Sequence, residues 1–172
     1  MLTEKAEDFV KSKLLEYRSE LETVLNGGDI SQYNYCECAG EIGTYDINSI
    51  NRLRISLALW YMSDGLDVES LAVALMNEEI KDLENAVYGG TSKTIYLLSY
   101  KILGYKKCSY RKLLKRAKKA NFDCFFEIDV YYLKKFAVRF RDWHNEDWEY
   151  IFEILDDKES LETLKRLNQE KE

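Results

Sequence analysis

Residues 92–103, SKTIYLLSYKIL, are the stretch that decides the fold class. Apolar and aromatic side chains occupy several sides of this segment when it is wound as a helix, and no period-two alternation is present. A helix that is apolar most of the way round lies at the centre of a helical bundle. Gly104 follows the segment and marks its end. The stretch therefore predicts a central helix around which the rest of the chain packs.

The remaining chain predicts an all-α, single-domain antiparallel helical bundle of seven to eight helices over residues 1–172, with no sheet. Apolar residues recur at spacings of three and four, and proline is absent. Short glycine breaks between the periodic segments favour antiparallel neighbours. The predicted parts are a first helix at 1–28, a long loop at 29–46, central helices at 48–142 and C-terminal helices at 145–172.

Several function classes are excluded by what the sequence lacks. No window approaches the 18 uncharged apolar residues of a membrane span, and the N-terminus has no apolar signal-peptide core, so we expect a cytoplasmic protein. Four cysteines with one histidine, His144, give no zinc-ligand spacing. The glycines form no phosphate-binding loop. We therefore expect no enzyme activity, no metal and no cofactor.

Charge is sorted along the chain. Residues 1–100 carry a net charge of −9, residues 101–120 carry +9, and residues 121–172 carry −6, which leaves −6 for the whole chain. Such asymmetry bears on partners and solubility rather than on fold.

The acidic stretch at 29–84 contains 11 acids and three bases. An acidic surface there would attract a basic protein with a fast, salt-sensitive association, although the same charge also serves simple solubility. Tyrosines in the 29–46 loop could act as anchors or could pack the loop onto the bundle. The residues predicted to bind a partner are Glu37, Glu41, Asp46, Asp64, Asp67, Glu69, Glu78, Glu79, Asp82, Tyr33, Tyr35 and Tyr45.

The basic block at 106–119 supports an alternative, a nucleic-acid-binding regulator. Lys112, Lys115, Arg116 and Lys119 share one helical face, which suits phosphate contacts. The rest of the chain is strongly acidic and repels a polyanion, and charge runs are usually solvated or docked on the protein's own acids. Nucleic acid is accordingly the less favoured partner.

Three stretches resemble a known family. Residues 60–71, WYMSDGLDVESL, preceded by Arg54, resemble the junction of two helices in PoNi-type immunity proteins. Residues 96–103, YLLSYKIL, are similar to that family's apolar helix around a Leu-Ser pair. The sequence KLL at 112–114 followed by FDCFF at 122–126 resembles the next helix and its start. The resemblance covers about residues 1–135.

PoNi-type proteins protect bacteria against polymorphic nuclease toxins. The resemblance therefore implies an immunity protein that neutralises the C-terminal domain of a cognate toxin, expected to be a basic nuclease, by stoichiometric binding. It assigns no binding residue, and it leaves the oligomeric state open. An inhibitor of a defence nuclease, encoded by a phage or by the host, would use the same physics and stays a further alternative.

Overall fold

The computed structural model describes residues 2–40, 43–86, 90–128 and 148–169. Within these ranges the chain forms eight α-helices. They are α1 Glu4–Leu25, α2 Ser49–Tyr61, α3 Glu69–Asn85, α4 Lys93–Gly104, α5 Arg111–Lys118, α6 Phe122–Glu127, α7 Trp148–Ile154 and α8 Lys158–Gln169. The predicted all-α class is confirmed in its broad form. The predicted continuation of the central helices over 129–142 lies outside the described residues.

The prediction of no sheet was wrong. Two short strands, β1 Glu37–Gly40 and β2 Gly43–Asp46, pair antiparallel inside the stretch predicted as a loop. Most of their side chains are exposed on both faces. A strand that buries neither face has no reason to alternate apolar and polar residues, so its sequence carries no period-two signal.

Side-chain caps fix the starts of the helices where polar residues precede them. The hydroxyl oxygen of Thr3 accepts a hydrogen bond from the amide of Ala6 at the start of α1. Ser92 accepts from the amide of Ile95 at the start of α4. Gly27 follows α1 with a φ of 91°. An L residue adopts this backbone conformation only under strain.

The central position predicted for α4 is confirmed. Ile95, Leu97, Leu98 and Ile102 are at most 1% exposed, and the helix packs against α2 and α3. Helix α1 lies along α2 and also contacts α8. On the far side, the buried Trp148 of α7 stacks near Tyr61 of α2, with ring centroids 5.8 Å apart. The core therefore forms between α2 and the helices around it.

A charged residue lies inside this core. Arg52 of α2 is 0% exposed, and its guanidinium contacts three carboxylates. Nε donates to Glu79 at 2.8 Å, Nη2 donates to Asp82 at 2.9 Å, and Nη1 pairs with Asp46. Nη1 also lies 3.4 Å from the carbonyl oxygen of Tyr33. Arg52 thus joins α2 to α3 and to the end of β2.

We expect Arg52→Met to lower the free energy of unfolding by about 3–5 kcal/mol at pH 7, because it leaves buried carboxylates without their cation. Urea denaturation measures this loss. Adding Glu79→Gln to the variant should restore part of the stability, since it removes one of the stranded charges. Arg54→Met is the control: its guanidinium is half-buried, lies 5.9 Å from the centre of the Tyr17 ring, and should matter by about 1 kcal/mol or less. Equal losses for the two arginines would contradict the role given to Arg52.

Candidate protein-binding hairpin

The base of the β1–β2 hairpin is tied to the bundle by one side chain. Asp46 Oδ1 accepts hydrogen bonds from the amides of Cys36 at 2.9 Å and Asn48 at 3.0 Å. Its other oxygen pairs with Arg52. Because Asp46 bridges both chain ends of the hairpin to a residue in the core, the hairpin leaves the bundle in one fixed direction.

A second tie lies on the neighbouring helix. Glu78 of α3 accepts a hydrogen bond from the amide of Tyr35 at 2.9 Å and pairs with Lys81 at 2.6 Å. Burial raises the pKa of Glu78, but the hydrogen bonds from Lys81 and Tyr35 outweigh it, so the pKa is lowered overall and the carboxylate stays charged at neutral pH. A two-stranded hairpin is marginal in water on its own, so these contacts are what hold it folded.

The hairpin carries exposed apolar and acidic side chains close to this base. Tyr45 is 55% exposed and Ile47 is 49% exposed, while Glu37 at the start of β1 is exposed as well. Tyr45 lies opposite Cys38 in the strand register, and its ring passes Gly40 closely. A Cβ at position 40 would lie 3.2 Å from a ring carbon of Tyr45, so glycine allows the ring to lie across the strand.

The three tyrosines predicted as anchors have different positions. Tyr45 is exposed, Tyr35 is half-buried, and Tyr33 is buried at 1% exposure. The hydroxyl of Tyr33 donates to Glu20 of α1 at 2.6 Å, and its pKa is raised by burial and by that carboxylate. Tyr33 therefore holds the segment before the hairpin against the bundle, and among the three only Tyr45 offers a surface ring.

The predicted acids are divided between the interior and the surface. Asp46 and Glu79 are buried partners of Arg52, so we do not carry them into a binding surface. Asp82 keeps 24% of its side chain exposed and also pairs with Arg52. The exposed member near these three is Glu37. Glu41, which falls between the two strands in the sequence, lies outside the described residues.

The other predicted acids lie at the opposite end of α2. Asp64 and Asp67 are exposed in the connection from α2 to α3, and Glu69 starts α3. Glu69 pairs with Lys107 and accepts a hydrogen bond from Tyr110. Since α2 has 13 residues, about 18 Å separates this end from the hairpin end. The predicted acidic patch is therefore two separate groups rather than one surface.

A cleft of about 400 Å³ lies next to the hairpin base. Glu79 and Asp82 line it together with residues at the starts of α2 and α4, and the rings of Tyr96 and Tyr150 are part of its wall. Burial and the neighbouring charge of Glu79 raise the pKa of Asp82 from 3.8 to about 6, although Arg52 acts in the opposite direction. Burial acts most strongly on Asp82, and the three carboxylates outnumber the single guanidinium, so Arg52 does not reverse the rise in the pKa of Asp82.

Sequence reasoning missed Arg52 as the residue that organises this site. The signal was available: Arg52 lies on the same helical face as Ile55 and Leu59, which are buried at 0% and 1% exposure. A basic residue in line with apolar ones is a candidate for a buried ion pair. The sequence did not show which acids would meet it, because they lie 6, 27 and 30 residues away along the chain.

The basic block is partly neutralised by the protein itself. Lys107 pairs with Glu69, and Arg116 forms a bidentate pair with Glu84 of α3. This is the docking on its own acidic helices that the sequence left open.

We expect Asp82 to make the folded protein less stable as pH rises, which is the opposite of the usual effect of a carboxyl group. Because its pKa is higher in the folded protein than in the unfolded chain, the free energy of unfolding falls as pH rises from about 4 to about 6. The free energy of unfolding of the wild type minus that of Asp82→Asn should fall by up to about 3 kcal/mol between pH 4 and pH 7. Thermal or urea unfolding across that range measures it.

Glu84→Gln provides the control with the opposite sign. Hydrogen bonds from Arg116 lower the pKa of Glu84, so its contribution is present above pH 4.5 and is lost as pH falls. The free energy of unfolding of the wild type minus that of Glu84→Gln should therefore rise with pH. A constant difference for Asp82→Asn across the range would show that Asp82 does not take up a proton in this window.

No protein-family model, no curated protein and no solved structure matches this chain. Among residues 2–40, 43–86, 90–128 and 148–169, no helix is long and apolar enough to cross a membrane. The same ranges hold no group of three side chains that could ligate a metal.

Proposed function

We propose that this chain is an immunity protein that binds a cognate antibacterial toxin domain one-to-one in the cytoplasm and blocks it without catalysis. The expected toxin is a nuclease with a basic substrate-binding cleft. The proposal rests on the resemblance of residues 54–126 to PoNi-type proteins and on the acidic charge of the chain. The observation that carries it is the hairpin: an exposed tyrosine and an exposed acid on a short sheet held rigidly at its base.

The anchoring matters for affinity. A loop that is ordered only on binding gives up conformational entropy in the complex, whereas the hydrogen bonds of Asp46 and Glu78 have already fixed this segment. Tyr45 supplies a large amphipathic ring with few rotatable bonds, which is the usual character of a residue that dominates an interface. A fixed backbone and an exposed ring are together the features of a segment that inserts into a pocket of its partner.

The charge near the hairpin sets the kind of partner. Glu37 is exposed on the hairpin, on the face opposite to Tyr45 in the strand register, and Asp82 leaves the buried cluster with more negative than positive charge. A basic surface would be drawn to this end of the molecule, and the attraction would act mainly on the association rate. Apolar contact by Tyr45 and Ile47 would then slow dissociation.

The first experiment is a pull-down with the protein encoded directly beside this gene, carried out at low and at high salt. We expect one-to-one capture of its toxin domain, with weaker capture at high salt because association is steered by charge. Capture that does not respond to salt would remove the electrostatic part of the proposal. No capture of the neighbouring protein, together with no protection of cells that express it, would overturn the function.

Single substitutions in the hairpin locate the interface. We expect Tyr45→Ala to weaken toxin binding at least about ten-fold through faster dissociation, and Glu37→Lys to slow association several-fold. Surface plasmon resonance separates the two rates. The matched controls are Leu15→Ala on α1, which removes an apolar side chain that is 57% exposed, and Glu162→Lys on the exposed face of α8. Loss of binding in the controls but not in the hairpin variants would place the interface elsewhere.

A further inference from the structure

Helix α5 presents a basic face that the rest of the described chain does not neutralise. Arg111, Lys112, Lys115 and Lys119 are exposed, and none of them forms an ion pair within the described residues. Lys112, Lys115 and Lys119 are spaced by three and four residues and so lie on one side of the helix. Residues 106–119 contain eight bases and no acid. Mutual repulsion on such a face is relieved when a polyanion binds.

Three exposed phenylalanines follow directly on α6. Phe122 is 75% exposed, Phe125 is 51% exposed and Phe126 is 56% exposed. Their rings form an edge-to-face cluster in which Phe126 lies 5.0 Å from Phe122 and 5.3 Å from Phe125 between centroids. Exposed large apolar groups that form a contiguous patch mark an interaction site more often than scattered ones do.

The basic face and the aromatic cluster form one surface. The ammonium group of Lys118, near the end of α5, lies 5.4 Å from the centre of the Phe125 ring. The connection between the helices is short, and Asn121 fixes it by capping α6 and donating to the carbonyl oxygen of Gly90 at 2.8 Å. The one acid near the cluster whose side chain is described, Asp123, is half-buried at the start of α6.

We propose that this α5–α6 surface binds single-stranded nucleic acid. The lysines of α5 would contact phosphates, and the phenyl rings would stack against unpaired bases, which is the combination found in sequence-tolerant single-strand binding. A duplex offers phosphates but hides the faces of its bases, so it leaves the rings unused. An acidic protein would satisfy the charges but gives no reason for three adjacent phenyl rings. The inference is independent of the proposed toxin binding.

Fluorescence anisotropy with labelled oligothymidylate of about 12 nucleotides tests the proposal. We expect binding whose affinity falls with salt at a logarithmic slope of about −2, as expected when three lysines meet phosphates of a single strand. Lys115→Gln should reduce the size of that slope by about 0.7. Phe125→Ala and Phe126→Ala should each weaken binding roughly ten-fold with the slope unchanged, because stacking releases no counterions.

Matched controls lie on helices that pack on each other away from α5. Lys165→Gln on α8 removes an exposed lysine, and Leu15→Ala on α1 removes an apolar side chain that is 57% exposed. Neither should change affinity or slope. The proposal is overturned if duplex DNA binds as well as the single strand, if the phenylalanine variants bind normally, or if an acidic peptide displaces the oligonucleotide at equal charge concentration.

Discussion

The buried ion cluster of Arg52 is the constraint on which the rest of the structure depends. A guanidinium taken out of water loses hydration that only well-placed carboxylates can replace. Those carboxylates come from Asp46 at the end of β2 and from Glu79 and Asp82 on α3. Burial lowers the pKa of Arg52, but Glu79 and Asp46 more than reverse the shift, so the residue stays charged. None of the three elements can move without separating these charges.

The ion cluster of Arg52 also explains how the hairpin stays folded. Two short strands exposed on both faces contribute little apolar burial of their own, so their stability comes from the core through Asp46 and from α3 through Glu78. Because these electrostatic contacts hold the hairpin at its base, its exposed side chains are not needed for the fold and can contact a partner. Tyr45 is therefore exposed without stabilising the fold. Tyr33, twelve residues earlier, is buried and hydrogen-bonds to Glu20, so it is not available to a partner.

The sequence predicted the parts that depend on local rules and missed those that depend on distant partners. The helix at 92–103 follows from its apolar residues, and the structure has a helix over Lys93–Gly104 whose cap is Ser92. The hairpin gave no periodic signal, since neither of its faces is buried. Burial of Tyr33 and exposure of Tyr45 could not be distinguished from residue type alone. The sorting of acids into buried and exposed groups depended on where Arg52 meets α3, which no local pattern encodes.

The charge pattern gains a physical meaning once these positions are known. Part of the opposite charge cancels internally, as in the pairs of Lys107 with Glu69 and Arg116 with Glu84. Among the charged surfaces of the described residues are a hairpin with the exposed Glu37 and Tyr45 and a basic helix beside three exposed phenyl rings. Each surface combines a charge that acts at long range with an apolar group that acts only in contact, and the two signs select different ligands. A nuclease is a protein whose basic cleft holds a polyanion, so under the two proposals the chain meets the enzyme through the hairpin and its nucleic acid through α5 and α6. The two surfaces are built from separate elements, so each can be removed by mutation while the other stays intact, and the two proposals can be tested apart.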